Sequence, residues 1–227
     1  RLLTVAQAPV VLSAIPESAA FKPGLGLSIL YVAETPDQEP TDAEVAVEIG
    51  YVKTNLQSSL ETRQVSVRGG KGLLKITPPK DAIALTLSAN AGGSYATLAL
   101  QAGYSPTGSF IHVEQASSGR LKVGDTARFH ISATKEAANF YYEVLARGQV
   151  VFSDYSRSPD IELTLSPDMA PSARLLVYQI LPNNEVAADY VPFDVAGDYS
   201  HQVQAAFSQA EVKPGDSLDV SVHSEGP

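Results

Sequence analysis

Cysteine and tryptophan are absent from this chain of 227 residues, and methionine occurs once. Without cysteine there is no disulfide, no thiolate nucleophile and no zinc–thiolate centre within it. The absence does not fix a compartment, because domains of about 100 residues fold without such staples. Basic residues are also scarce. Against 25 Asp and Glu stand 16 Lys and Arg, for a net charge of −9, where a nucleic-acid-binding chain needs a basic footprint. No apolar run approaches the roughly 18 residues that read as a membrane-spanning helix. There is no Asn-X-Ser/Thr sequon, since Asn55, Asn90, Asn139, Asn183 and Asn184 all fail the pattern. No signal peptide is visible. Residues 1–7 read as the end of a preceding strand, and the sequence stops shortly after a new strand opens, so the chain reads as a fragment of a longer protein.

What is present is 44% hydrophobic residues, enough for packed cores, and a repeat. An apolar residue, a lysine, one further residue and a glycine occur together three times: Phe21-Lys22-Pro23-Gly24, Leu121-Lys122-Val123-Gly124 and Val212-Lys213-Pro214-Gly215. The glycines are spaced by about the length of one small domain, too far apart for a solenoid or a propeller blade. Proline before glycine suits a type II turn, because proline presets φ and glycine accepts a positive φ. Valine at position 123 is tolerated there. After each glycine the same offsets are apolar: Leu27, Ile29 and Tyr31; Ala127, Phe129 and Ile131; Leu218, Val220 and Val222. Such alternation puts one face of a strand on a core and the other in water.

The first module then carries predicted strands over residues 10–14, 27–33, 45–52, 63–68, 73–77, 83–89 and 95–102. The second carries them over 111–115, 127–133, 141–146, 149–153, 161–165, 175–181 and 186–195. Residues 203–207 and 218–223 open a third. Gly69-Gly70-Lys71-Gly72, Arg147-Gly148 and Pro182-Asn183-Asn184-Glu185 read as hairpin turns, and Ser105-Pro106-Thr107-Gly108 as the linker. Short helical turns are expected at 54–62 and 167–172. Seven short strands in under about a hundred residues, with turn signals between them, indicate a β-sandwich. The expected fold is all-β: tandem antiparallel sandwiches of the fibronectin or immunoglobulin kind, over residues 1–107, 108–198 and, incompletely, 199–227.

Two segments of the second module carry a resemblance. Phe140-Tyr141-Tyr142-Glu143-Val144-Leu145-Ala146-Arg147-Gly148 followed by Val150-Val151 is similar to the mid-domain hairpin of macroglobulin-type domains. So is Met169-Ala170-Pro171-Ser172-Ala173-Arg174-Leu175-Leu176-Val177-Tyr178, leading to Glu185-Val186-Ala187-Ala188-Asp189. The chain thus resembles the alpha-2-macroglobulin superfamily, which includes complement components, cell-surface relatives and thioester-containing proteins. The openings at Phe21 and Val212 agree. The module order resembles the fourth and fifth macroglobulin domains and the start of the sixth. The resemblance implies a non-catalytic piece of a ring-like scaffold in an extracellular protein of protease trapping or complement-like innate immunity. Its partners would be neighbouring macroglobulin domains, with proteases, microbial surfaces or a cell-surface receptor beyond them. The superfamily's chemistry resides in a Cys–Gln thioester and a cleavable bait segment, and neither is placed on a residue here; the bait is expected beyond Pro227.

Individual residues point the same way. His112, His130, His201 and His223 are scattered through different modules, where a metal needs convergent ligands; His130 and His223 fall at the polar phase of their strands. No glycine-flanked nucleophile elbow accompanies the serines. Gly24-Leu25-Gly26 and Gly69-Gly70-Lys71-Gly72 do not join a strand to a helix, as a phosphate loop must. Arg63, Arg68, Lys71, Lys75 and Lys80 form the one basic concentration. It reads as edge protection ahead of a patch for a sulfated glycan or acidic surface, in which Arg68 and Lys75 would lie close together. Tyr141, Tyr142 and Tyr178 read as core residues ahead of a binding patch. No position is assigned a catalytic, cofactor-binding or metal role, no cofactor is expected, and neither nucleic acid nor membrane insertion is. The alternative function is a structural adhesion array of sandwiches without a proteolytic trigger.

Overall fold

A computed structural model describes residues 8–136, 138–197, 203–209, 211–213 and 215–224. The expectation for residues 1–7, His201 and Pro214 lies outside them. Strands β1 (Val11–Pro16), β2 (Ala20–Phe21), β3 (Leu27–Glu34), β4 (Ala43–Lys53), β5 (Ser58–Val67), β6 (Lys71–Ile76), β7 (Ala82–Ala91) and β8 (Ser94–Ala102) come first. They form a three-stranded sheet in the order β1-β3-β6 and a five-stranded sheet in the order β2-β8-β7-β4-β5. Next come β9 (Ile111–Gln115), β10 (Thr126–Ala133), β11 (Phe140–Ala146), β12 (Gln149–Ser156), β13 (Asp160–Thr164), β14 (Ser172–Ile180) and β15 (Val186–Asp194). These make a sheet β13-β10-β9 and a sheet β12-β11-β14-β15. Finally β16 (Val203–Phe207) and β17 (Val220–Ser224) pair as a hairpin. Pairing is antiparallel except between β2 and β8, and no α-helix occurs among the described residues.

Each pair of sheets closes over its own core. Leu27, Ile29, Tyr31 and Ala33 from β3 meet Val45, Val47 and Ile49 from β4 and Leu85 and Leu87 from β7. Phe129 and Ile131 from β10 meet Val144, Leu175, Val177 and Phe193, with the Phe129 and Phe193 rings edge to face at 5.3 Å. The strict alternation of burial along β3 and β11 is the period of two that the sequence carries. The repeated turns form as expected: Leu25 donates to the Lys22 carbonyl, Asp125 to Lys122 and Asp216 to Lys213, at 3.0–3.1 Å. Gly24, Gly124 and Gly215 have φ of 81°, 90° and 99°.

The helical turn expected at 54–62 is a hairpin turn instead. Asn55 Oδ1 accepts from the Gln57 amide at 3.0 Å, Leu56 adopts φ 62°, and Lys53 N–H closes onto the Gln57 carbonyl. β5 starts at Ser58, and its first residues are exposed on both faces, so no alternation announces it. At 167–172 only Pro167–Met169 forms a 3-10 turn, and β14 begins at Ser172. β2 has no counterpart among the expected strands.

Gly69 and Gly70 form a two-residue turn with φ of 55° and 81°, over which Arg68 and Lys71 exchange both backbone hydrogen bonds. Two consecutive positive φ values define a type I′ turn, which favours glycine. The strands it joins do not remain paired: β5 belongs to the five-stranded sheet and β6 to the three-stranded one, so the turn is the corner where the chain changes sheets. A Cβ on Gly70 would lie 2.7 Å from Cβ of Pro40, whereas Gly69 has nothing within 4 Å. Gly70→Ala is therefore expected to lower unfolding stability by about 2–3 kcal/mol, and Gly69→Asn by less than about 1 kcal/mol, in paired denaturant titrations. Tyr31 is wholly buried, its hydroxyl has no partner among the described residues, and burial raises its pKa to about 12. Tyr31→Phe removes that unpaired group and should raise stability by roughly 1 kcal/mol in the same assay.

Candidate functional site

The polar chemistry of the described residues concentrates where the two cores adjoin. The turn after β2 holds Lys22 next to Phe21, whose side chain is fully buried in the first core. Lys22 Nζ reaches Oδ1 of Asp189, on β15 of the second sandwich, at 2.5 Å. The other carboxylate oxygen, Oδ2, accepts from the Val113 amide at 2.9 Å and lies 3.3 Å from His112 Nδ1. His112 Nε2 lies 4.0 Å from Glu17 of the first sandwich. Along β9, Ile111 and Val113 are buried in the second core, while His112 and Glu114, two residues apart, share the opposite face. Both reach the first sandwich: Gly26 lies against His112, and Glu114 pairs with Lys75 on β6 at 3.1 Å. Burial alone would raise the Asp189 pKa. Hydrogen bonding from His112, the charge and hydrogen bond of Lys22, and the Val113 amide outweigh it and hold the carboxyl below its ordinary range.

A second knot clamps the linker. Glu185, in the turn between β14 and β15, accepts from the hydroxyls of Ser105 at 2.5 Å and Thr107 at 2.6 Å, and these bonds lower its pKa. Ser105 Oγ in turn accepts from the Ser109 amide. Ser109 and Gln179 are buried beside one another.

A cleft of about 510 Å³ opens beside the Asp189 knot, with Tyr51, Glu61, Arg63, Lys75, His112 and Ser132 on its walls. Ser132 stands opposite His112 in the β9–β10 ladder. His112 and Asp189 thus make the orienting half of a Ser-His-Asp arrangement, but among the described residues no hydrogen bond joins Ser132 to His112. The nucleophile–base contact that acyl transfer needs is missing. The arrangement's chemistry is that of a joint: one carboxylate, held by three donors, pinning two bodies together.

The residues singled out in the sequence fall differently. His130 pairs with Asp160 at 2.7 Å on an open surface, and His223 is exposed on β17. Among the described histidines, only His112 reaches the joint. The basic residues do not form the patch that the sequence allowed. Arg63 pairs with Glu61 and Arg68 with Glu44, while Lys75 turns to the other sandwich. Arg68 and Lys75 are separated because the corner at Gly69-Gly70 sends them to different sheets. Lys71 and Lys75 lie on β6, the outer strand of its sheet, where edge protection places lysines. Tyr142 is a core residue, but the core reading fails for Tyr141 and Tyr178. They share the opposite face of the sheet, stacked on each other at 5.5 Å, with Tyr155 at 6.4 Å from Tyr141. The Lys22–Asp189 contact was not legible, although both residues stand in quoted motifs, because the repeat marks each module and carries no signal of how modules meet.

A family model described as the alpha-2-macroglobulin bait region domain matches residues 111–226, just over half of the chain. The chain belongs to the alpha-2-macroglobulin family. The match begins at the first residue of β9 and takes in the strands that form the second core. Ovostatin from Gallus gallus is 30% identical over 135 residues, covering 52% of this chain and 9% of ovostatin. Complement C3 from Lethenteron camtschaticum is 26% identical over 201 residues, 81% of this chain and 12% of that protein. The macroglobulin chain thus spans about a tenth of the length of these curated relatives. Among solved structures, a Salmonella alpha-2-macroglobulin reacted with methylamine aligns over 97% of the chain and 19% of its own, at 12% identity and a TM-score of 0.34. A trypsin-activated Escherichia coli alpha-2-macroglobulin aligns over 88% and 18%, at 12% identity and a TM-score of 0.35.

Asp189→Asn in this macroglobulin chain keeps shape and removes the charge that Lys22 faces, and is expected to lower stability by roughly 2–3 kcal/mol at neutral pH. Because the folded-state pKa of Asp189 is depressed from 3.8, its contribution is fully present above the ordinary carboxylate range. It is lost as pH falls through the lower folded value. The stability gap between wild type and Asp189→Asn should therefore be flat near neutrality and close below about pH 4, as read by denaturant titration across that range.

Proposed function

We propose that this chain is a non-catalytic scaffold segment of an extracellular macroglobulin or complement-like protein, one that traps proteases or marks foreign surfaces in innate immunity. Its modules are residues 1–107, 108–198 and the opening of a third over 199–227. The observation that carries the reading is the Lys22–Asp189–His112 joint. A residue of the repeated module-opening motif is bound not to its own sandwich but to the last strand of the next one. In a string of modules such joints transmit movement. Cleavage of a bait segment outside residues 1–227 would release strain, and pinned sandwiches would shift as rigid bodies. Membership in the family, with relatives that include ovostatin and complement C3, supports the setting.

One feature favours the alternative, a structural adhesion array. The outer face of the β12-β11-β14-β15 sheet exposes Tyr155, Tyr190, Val150, Ile180 and Val186, with Arg174 over the Tyr190 ring at 5.7 Å. Exposed tyrosine and arginine are the composition of protein-binding surfaces.

The test uses the intact parent protein, its mass measured before and after methylamine and its fragments mapped after limited proteolysis. The scaffold reading expects first cleavage outside residues 8–197, with methylamine uptake and a new thiol if the parent carries a thioester. No uptake with one sensitive segment elsewhere indicates a trap without a thioester. First cleavage within residues 8–197 overturns the scaffold reading, and neither response leaves the adhesion array in its place.

A further inference from the structure

A second cleft of about 370 Å³, whose lining includes none of Lys22, His112, Val113 and Asp189, is built from both sandwiches and the linker itself. Its apolar lining includes Pro23 from the repeated turn, Ile83 from β7 and Phe110 from the segment leading into β9. Two lysines line it, Lys80 from the first sandwich and Lys135 from the second. Among the described residues neither has a carboxylate within ion-pair distance. The nearest acids in sequence are Asp81, which pairs with Lys53 at 3.5 Å, and Glu136, which does not line the cleft.

Lys80 is also held in place. Its Cγ would stand 2.8 Å from a Cβ on Gly24, so the stem lies directly over the turn glycine, whose amide is fixed by the Pro78 carbonyl. Three of the cleft's hydroxyls are already engaged, Ser105 and Thr107 with Glu185 and Thr134 with the Gly108 carbonyl, while that of Thr54 makes no hydrogen bond among the described residues. The groups left with unused bonding capacity are therefore the two ammonium ions and one neutral hydroxyl, over an apolar floor, and only the ammonium ions select for charge. Tyr104, between the cleft residues Gly103 and Ser105, is almost wholly exposed and has nothing packed on it.

We propose that this cleft is a binding site for a small amphipathic anion, a carboxylate with an apolar body of medium-chain length. The carboxylate lies between Lys80 and Lys135, and the chain rests on Pro23, Ile83 and Phe110, with Tyr104 free to close over it. In a protein of net charge −9, two unpaired cations from different modules facing one apolar hollow select an anion with a tail. Occupancy would bridge the two sandwiches across the linker, through residues that the Asp189 joint does not use.

The 227-residue chain would be titrated by calorimetry with decanoate, decanol and sulfate, and the Ile83 methyl followed by NMR. Decanoate is expected to bind one site and shift Ile83. Lys80→Gln together with Lys135→Gln, both exposed positions whose replacement leaves the cores intact, should weaken it about tenfold or more, and decanol should bind at least about tenfold more weakly than decanoate. Failure of decanoate to bind, equal binding by the double variant, or equal binding of decanol would each overturn the proposal. Sulfate binding as tightly as decanoate would overturn the role given to the apolar floor.

Discussion

The repeated Lys-X-Gly turn ties the two sheets of each sandwich to one another. In the first, the Gly24 amide donates to the Pro78 carbonyl just after β6, and the Phe21 carbonyl accepts from Gly103 just after β8. In the second, Gly124 donates to Leu165 after β13, and Leu121 accepts from Ala196 after β15. In both copies a single stretch of four residues ties the ends of two opposed sheets by backbone hydrogen bonds. The geometry requires a positive φ at the glycine in every copy, and at Gly24 the Lys80 stem also fills the space a Cβ would take. This explains why glycine appears in all three copies while proline gives way to Val123 in one. The aspartate that follows in the second and third copies adds a bond, from Lys122 N–H and Lys213 N–H to the Asp125 and Asp216 carboxylates.

The same constraint sets up the joint. Because Phe21 is locked in the core and Gly24 is locked to Pro78, Lys22 has little freedom in where it points, and it points at Asp189. Side-chain entropy that a free surface lysine would lose on forming an ion pair is already reduced by the turn. The knot at Glu185 acts likewise: Ser105 and Thr107 are fixed by their bonds to one carboxylate, and the linker becomes a strut.

The strands were legible because their burial has a period that does not depend on what they meet. Of the fourteen strands expected over the first two modules, those centred on Ile29, Phe129 and Val144 are found with the burial phase that the alternation implies. Legibility failed where the period does. The first half of β5 is exposed on both faces, so 54–62 was misread as helical. Tyr141 and Tyr142 are adjacent aromatics, and a strand must send adjacent residues to opposite faces. The sequence could not say which was outward until the register with Tyr178 and Val177 fixed it. The joint was illegible for a different reason. Lys22, His112 and Asp189 each occupy an ordinary polar position on their own module, and only the relative placement of two modules gives them a common partner.

The joint's polar character bears on how such a protein could move. Had the sandwiches met through an apolar face, parting them would expose hydrocarbon to water, at a cost of roughly 25 cal/mol for each Å². Charge pairs exchange their partner for water more cheaply. Lys75 and Glu114 are both half exposed and hold little, as surface pairs do. Asp189 is more deeply placed and holds more, but once exposed it is simply a hydrated carboxylate. A polar joint is therefore stiff while intact, and opening it at Asp189 exposes charge rather than hydrocarbon. The exposed aromatic face around Tyr141 and Tyr178 lies on the sheet's outer side rather than at Asp189. The division suits a module that is pinned to its neighbour by charge at one point and presents its aromatic face elsewhere.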